Sequence, residues 1–217
     1  MTLSVTNLCI RHDGIPLFQP VSFTVAPGEI VTLMGPSGCG KSTLLNAVAG
    51  HLAPEFSVSG NVFLHEESVM ALKPNERRIG LLFQDDLLFP HLNILENLMF
   101  GLPGDYQGKE RAKRAMQTLT AIELQSLAHQ MPVQISGGQR ARVSLMRMLL
   151  SEPAAVLLDE PFNKLDKSLR TEFRHFVFEQ IRKRQIPAIM VTHDSDDVPE
   201  KGAVLQWPWV SEGADKC

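Results

Sequence analysis

Apolar and polar positions change their period several times along the 217 residues. Within Thr2 to Ile10, Leu3 and Val5 alternate with polar neighbours. Leu17 to Val25 and Ile30 to Met34 are further short strand-like runs, separated by the turn formers Asp13-Gly14 and Pro27-Gly28. The chain therefore starts as β. Between Lys109 and Ile122 the spacing becomes helical: Ala112, Ala115, Met116, Leu119 and Ile122 recur at three and four, with Gly108 as the N-terminal bound. Leu165, Leu169, Phe173, Phe176, Val177 and Ile181 repeat that spacing. Asp166 stands near the start of this stretch and Arg182-Lys183-Arg184 near its end, as the helix dipole favours, and Pro187 follows. Ala154 to Leu158 and Ala188 to Thr192 are unbroken apolar runs of strand length, the pattern of strands covered on both faces of a parallel sheet. Strands alternating with helices predict an α/β fold.

Composition narrows this picture. With 44% hydrophobic residues the chain can bury one sizeable core, so residues 1–217 are expected to form a single domain. The formal charge, 21 − 24 = −3, gives no general attraction for nucleic acid. Met1 to Asp13 lacks the basic and apolar regions of a secretory signal, and no apolar run approaches the ~20 residues that cross a bilayer. Any membrane role is expected to come through a partner. Cys9, Cys39 and Cys217 show no metal-ligand spacing.

The chemistry begins where the strand Ile30 to Met34 runs into Gly35-Pro36-Ser37-Gly38-Cys39-Gly40-Lys41-Ser42-Thr43, followed by the helix-like Leu44 to Gly50. This is a P-loop in its required strand-loop-helix context. Glycines let the backbone approach phosphate, successive amides converge on its oxygens, and the helix N-terminus adds partial positive charge. Lys41 is expected to reach the β and γ phosphates, Ser42 to give its hydroxyl to Mg²⁺ and Thr43 to bond the α phosphate. Cys39 reads as a small filler within the loop.

Ala155-Val156-Leu157-Leu158-Asp159-Glu160-Pro161 is an apolar strand ending in two acids, a Walker B pattern. Asp159 is expected to hold Mg²⁺, and Glu160 to act as general base on the attacking water. Gln84, after the strand Ile79 to Phe83, is a further candidate for Mg²⁺ or its water. His193, after Ala188 to Thr192, is a candidate hydrogen-bond donor to the γ phosphate. Taken singly, each is more often an ordinary polar strand end. Asn163-Lys164-Leu165-Asp166 spells the guanine-selecting NKxD, yet it follows Pro161-Phe162 directly and closes no strand of its own. ATP is therefore expected rather than GTP.

Ile135-Ser136-Gly137-Gly138-Gln139-Arg140, between the P-loop and the Walker B strand, resembles the signature of ABC ATPases, and the other motifs fall in that family's order. Alone, Ser136 to Gln139 would read as a helix N-cap and turn. The resemblance implies a P-loop NTPase core of ABC ATPase type, with an N-terminal antiparallel β subdomain and an inserted α-helical subdomain at about 86–150. It implies that Gln84 is the Q-loop residue, that Asn163 to Asp166 is the D-loop, and that His193 is the switch histidine. It also implies a head-to-tail homodimer in which Ser136, Gly137, Gly138 and Gln139 of one copy close over ATP held by the other. Phe83 to His91 with Asn93 to Gly101 resembles the segment by which bacterial importer ATPases meet a permease. His12 stands where those ATPases carry an adenine-stacking aromatic. The resemblance thus implies a transporter subunit at the cytoplasmic face of the inner membrane, held there by permease subunits and served indirectly by a substrate-binding protein. An exporter or lipoprotein-releasing ATPase, or an ATPase acting on nucleic acid or ribosomes, shares the same catalytic motifs.

Overall fold

The computed structural model describes residues 1–209; Cys217 and the end of the expected single domain lie outside them. In chain order the elements begin with β1 (Leu3–His12), β2 (Ile15–Pro16), β3 (Val21–Val25), β4 (Ile30–Met34), α1 (Lys41–Ala49), β5 (Phe56–Leu64) and β6 (Glu67–Ser68). There follow β7 (Ile79–Leu82), α2 (Ile94–Gly101), α3 (Gly108–Ala121), α4 (Gly137–Leu149) and β8 (Ala155–Asp159). The chain continues with α5 (Lys167–Arg184), β9 (Ala188–Thr192) and β10 (Val204–Gln206). The fold is mixed α/β with a parallel sheet, as expected. Contacts group the chain into two units: Met1–Leu81 with Ala154–Glu160 and the chain from Phe178, and Leu82–Pro153 with Pro161–Val177.

The first unit carries two sheets. One is antiparallel: β1 pairs with β2, β3 and β5, and β5 with β6. A bulge interrupts it, because Thr6 faces Asn61 and Cys9 faces Ser59, leaving two residues of β1 opposite Gly60. Asn7 and Gly60 both take left-handed backbone there. A Cβ on Gly60 would lie 2.1 Å from the Asn7 carbonyl oxygen, so only glycine fits. The strand expected over Leu17 to Val25 starts only at Val21. Pro20 has no N–H for a ladder, and Phe18 is buried in the core instead.

The other sheet runs in the order β10-β4-β9-β8-β7, with β10, β4, β9 and β8 parallel. Its middle strands are covered on both faces, which explains why β8 and β9 read as unbroken apolar runs. Val31, Leu33, Ile189 and Val191 join Leu44, Leu45 and Val48 of α1 in one core. The helix expected from Leu44 already begins at Lys41. Its C-terminal carbonyls are collected by Arg77, which is 6% exposed. That guanidinium donates to the carbonyls of Ala47 and Val48, each at 2.9 Å, and to those of Leu72 and Met70. Burial lowers its pKa, and the carbonyl ends of the helix dipole compensate the charge.

In the second unit α2, α3 and α4 pack together. Asn93 and Glu96 form a capping box at the start of α2. The buried Asn97 amide bonds both the N–H and the carbonyl of Phe89, which shapes the turn ahead of that helix. Arg111 repeats at the end of α2 what Arg77 does for α1, donating to the carbonyls of Met99, Leu102, Pro103 and Tyr106. Periodicity located α3 and α5 to within a few residues. Strand β5 is not among the expected strands, although Phe56, Val58, Val62 and Leu64 alternate with Ser57, Ser59 and Asn61; Gly60 interrupts its apolar face.

Arg77→Ala removes the shared donor of four carbonyls, those of Ala47 and Val48 in buried contacts, and should lower the unfolding free energy by about 2–4 kcal/mol. Lysine lacks the planar fork, so Arg77→Lys should recover less than half of the loss. Urea unfolding followed by circular dichroism measures both, and a wild-type midpoint for Arg77→Ala would refute the capping role.

Candidate nucleotide site

The parallel register of the central sheet fixes what meets at its carboxyl edge. Met34 pairs with Thr192 and Asp159 with Val191, so Gly35, His193 and Glu160 leave three neighbouring strands side by side. Between β4 and α1 the loop exposes Pro36, Ser37 and Gly38 at its tip, while Cys39 is half-buried as a free thiol with its Sγ close against Gly35. Gly38 and Gly40 take left-handed backbone. No side chain caps the N-terminus of α1, and no acid stands in its first turn. The amide end of that helix is thus left for an external anion.

Lys41 opens the helix and is only 5% exposed. Its Nζ donates to the carbonyls of Gly35 at 2.8 Å and Pro36 at 2.9 Å, which fold the loop back over the ammonium. The Glu160 Oε1 stands 3.9 Å from the same Nζ. Next to Lys41, the exposed Ser42 hydroxyl donates to Asp159 Oδ1 at 2.9 Å, and Thr43 is half-buried. Burial raises the Asp159 pKa and the Glu160 charge adds to this; the Ser42 hydrogen bond and the Lys41 charge oppose it.

Glu160 has φ 45°, a left-handed conformation that a glutamate rarely adopts. The strain holds while its N–H donates to the Val191 carbonyl at 3.1 Å and its carboxylate lies 3.3 Å from His193 Nδ1. The turn carrying His193 is pinned in its turn. Thr192 donates to the buried Asp197 at 3.2 Å and accepts from the Asp194 N–H at 3.1 Å. Lys41, Ser42, Asp159, Glu160 and His193 therefore form one connected cluster. Sequence reading missed Asp197, which no motif points to, and missed Phe18, Trp207 and Trp209, which close on the back of the loop. His12 ends β1 with its ring 4.9 Å from that of Phe56 and its Nδ1 3.7 Å from Asp13.

Gln84, the residues Ser136 to Gln139, and Asp166 belong to the second unit. Gln84 lies two residues past β7 and lines a pocket of about 260 Å³ with Phe83, Asp86, Arg140, Lys164 and Phe173. Ser136 is the N-cap of α4: its hydroxyl accepts from the Gln139 N–H at 3.3 Å, and the Gln139 side chain accepts from the Ser136 N–H at 2.9 Å. Gly137 and Gly138 form the first turn. The same helix grips the chain after Gln84. Arg140 donates to Asp86 at 2.8 Å, Ser144 to the Asp86 carbonyl at 2.6 Å, and Arg147 to the Leu87 carbonyl at 2.8 Å. Lys164 pairs with Asp85. Asp166 accepts from Leu169 N–H and Ser168 Oγ at the start of α5, and these bonds hold its pKa down.

The profile of the ABC transporter family matches residues 18–163, more than half of the chain. An uncharacterized ABC transporter ATP-binding protein of Escherichia coli K12, YnjD, is 46% identical over 214 residues, covering 99% of each protein. A Fe(3+) ions import ATP-binding protein of Rhizobium meliloti, FbpC 1, is 38% identical over 192 residues, covering 88% of this chain and 54% of that protein. A maltose/maltodextrin import ATP-binding protein of Vibrio vulnificus, MalK, is 36% identical over 215 residues, covering 97% of this chain and 57% of that protein. The chain spans about half the length of these two import proteins and the full length of the Escherichia coli relative. Phosphate loop, strand-end acids and relatives agree, and the chain belongs to the ABC transporter family as an ATP-binding ATPase.

Proposed function

We propose that this chain is the motor subunit of a bacterial ABC importer, working as a homodimer that sandwiches two ATP molecules beneath membrane permease subunits. The cluster of Lys41, Ser42, Asp159, Glu160 and His193 at an uncapped helix N-terminus carries this reading. The import names of relatives such as FbpC 1 and MalK supply the direction of transport. A substrate-binding protein would choose the cargo. The working position is the cytoplasmic face of the inner membrane, reached through the permease; among the described residues no helix is long and apolar enough to cross a bilayer. Residues 1–217 would act as one ATPase domain, its antiparallel strands forming the N-terminal subdomain. Its helical segment at about 86–150 would receive the permease.

In this scheme Lys41 exchanges its two loop carbonyls for the β and γ phosphate oxygens. The amides from Gly35 to Thr43 wrap the chain of phosphates, and Thr43 bonds the α phosphate. His12 lies against the adenine. The adjacent hydroxyl and carboxylate of Ser42 and Asp159 form an oxygen donor set that would hold Mg²⁺; Gln84 is read as a candidate ligand for the ion or its water. The ion would supply charge neutralisation on the phosphate oxygens. Glu160 takes the proton of the attacking water, and its strained backbone and Lys41 contact hold the carboxylate ready. His193 turns from Glu160 to the γ phosphate. Ser136, Gly137, Gly138 and Gln139 of the second copy complete the cage from the N-terminus of α4, and Asp166 orders the segment between the two copies.

Three outcomes test this reading. Glu160→Gln should lose hydrolysis by at least ~10²-fold, the range of general-base removal, while MgATP converts it from monomer to dimer on gel filtration. A monomer that retains bound ATP would sink the sandwich. Ser136→Arg should leave ATP binding intact and block turnover; loss of binding would show that the signature acts within its own chain. Asp159→Asn should melt at a higher temperature than wild type without nucleotide at neutral pH, while losing magnesium-dependent turnover. The sign follows from the raised Asp159 pKa. Folding stabilises its protonated form, so the charged carboxylate costs stability above the folded pKa, and the gap should close as pH falls below the usual aspartate range. Differential scanning calorimetry against pH reads this directly, and an unaltered melting temperature at pH 7 contradicts it.

A further inference from the structure

The two tryptophans of the chain stand two residues apart, immediately after β10. β10 pairs in parallel with β4, with Gln206 opposite Met34. Trp207 therefore emerges beside Gly35, the first residue of the phosphate loop. Its amide donates to the Met34 carbonyl at 2.9 Å. The Trp209 indole Nε1 donates to the same oxygen, also at 2.9 Å. A carbonyl oxygen has two lone pairs, and here both are engaged at the point where strand becomes loop.

The rings fill the space behind both ends of the loop. A Cβ on Gly35 would lie 3.0 Å from Trp207 Cβ, and one on Gly40 would lie 3.1 Å from the Phe18 ring. Phe18 stands edge-on to Trp209 with centroids 5.2 Å apart, and the two indoles meet edge to face at 4.9 Å. Trp209 is 2% exposed. Side chains from opposite ends of the chain thus pack against the first and last glycines that frame Pro36 to Cys39, Trp207 through its Cβ and Cγ and Phe18 through its ring. A plain apolar core would need neither the indole N–H nor this close approach to glycine backbone.

We infer that Phe18, Trp207 and Trp209 are positioning residues for nucleotide binding: they fix the phosphate loop from behind so that its amides are set before ATP arrives. The loop has no side chain on its glycines to hold it, so a loosened loop would have to be ordered at the expense of binding energy. The wedge acts through backbone atoms of Met34, Gly35 and Gly40 and touches no ATP itself. This inference rests on the reading of residues 35–43 as the phosphate loop.

Equilibrium dialysis with radiolabelled ATP and magnesium tests it, alongside urea unfolding and steady-state ATPase kinetics. Trp209→Phe keeps a ring and deletes the N–H; it should weaken ATP binding about fivefold, the worth of one hydrogen bond. Trp207→Leu removes the indole that meets Trp209 and leaves only Cβ and Cγ beside Gly35; it should weaken binding about tenfold or more, with KM rising more than kcat falls. Wild-type dissociation constants for both variants overturn the inference, whether or not their unfolding midpoints drop, because a purely structural role shifts the midpoint alone. If Trp207→Leu does not fold, Trp209→Phe decides by the same criterion. Lys41→Ala separates the two readings. Undiminished ATP binding by Lys41→Ala overturns the phosphate-loop reading itself. Lost binding there, with unchanged binding in the tryptophan variants, overturns the aromatic wedge alone.

Discussion

The ammonium of Lys41 is the constraint on which the rest of this site depends. It is almost fully buried, and a buried charge must be paired or bonded. Two loop carbonyls and the Glu160 carboxylate meet that demand. Each of them requires something of the fold. The carbonyls of Gly35 and Pro36 face the ammonium only because the loop turns back through left-handed Gly38 and Gly40. Glu160 reaches it only because β8 lies one strand away from β4, with β9 between, and because its own backbone accepts a left-handed φ. Loop carbonyls are compensation that phosphate oxygens can replace, since both are oxygen acceptors and the phosphates carry full charge.

Much of this was legible in the sequence because the motifs are short and local. A strand, a glycine-rich loop, a lysine and a hydroxyl occupy consecutive positions, and hydrophobic periodicity gives the strand on one side and the helix on the other. Asp159 and Glu160 follow an apolar run for the same reason. The unread parts depend on long-range pairing. Nothing local in Val204 to Gln206 announces a strand, yet the register of β10 on β4 carries Trp207 to Gly35. Arg77 looks like one of many surface cations until α1 brings two carbonyls to it. Asp197 acquires meaning only through the hydroxyl of Thr192.

Ser136 shows a different limit. The bland reading, a helix N-cap, is what its hydroxyl does in this structure, and Gln139 completes the box. The chemistry that makes a good N-cap, a hydroxyl beside free amides at the positive end of a helix, is also the chemistry that receives an anion. Sequence alone cannot choose between them at such a position, because one set of atoms serves both ends. The neighbouring contacts add what the motif lacks. Arg140, Ser144 and Arg147 fall on one stripe of α4; Arg140 holds the Asp86 carboxylate, and Ser144 and Arg147 hold the carbonyls of Asp86 and Leu87. The start of that helix and the chain just beyond Gln84 are therefore joined within the second unit.

Helix ends reveal how the chain distributes its capping. At the start of α2, Asn93 and Glu96 satisfy the amides, and at the start of α4, Ser136 and Gln139 do so. Arg77 and Arg111 gather the carbonyls that end α1 and α2. The beginning of α1 has neither a capping side chain nor an acid in its first turn. A cap there would be worth about 1 kcal/mol, and Ser, Thr, Asp or Asn at position 40 would supply the oxygen. Gly40 forgoes it, since its φ of 96° and the Phe18 ring behind it leave no room for a side chain. The same glycine that denies α1 an internal cap leaves the amides of its first turn unclaimed by any side chain, so a loss in fold stability and a helix end open to an anion have one structural cause.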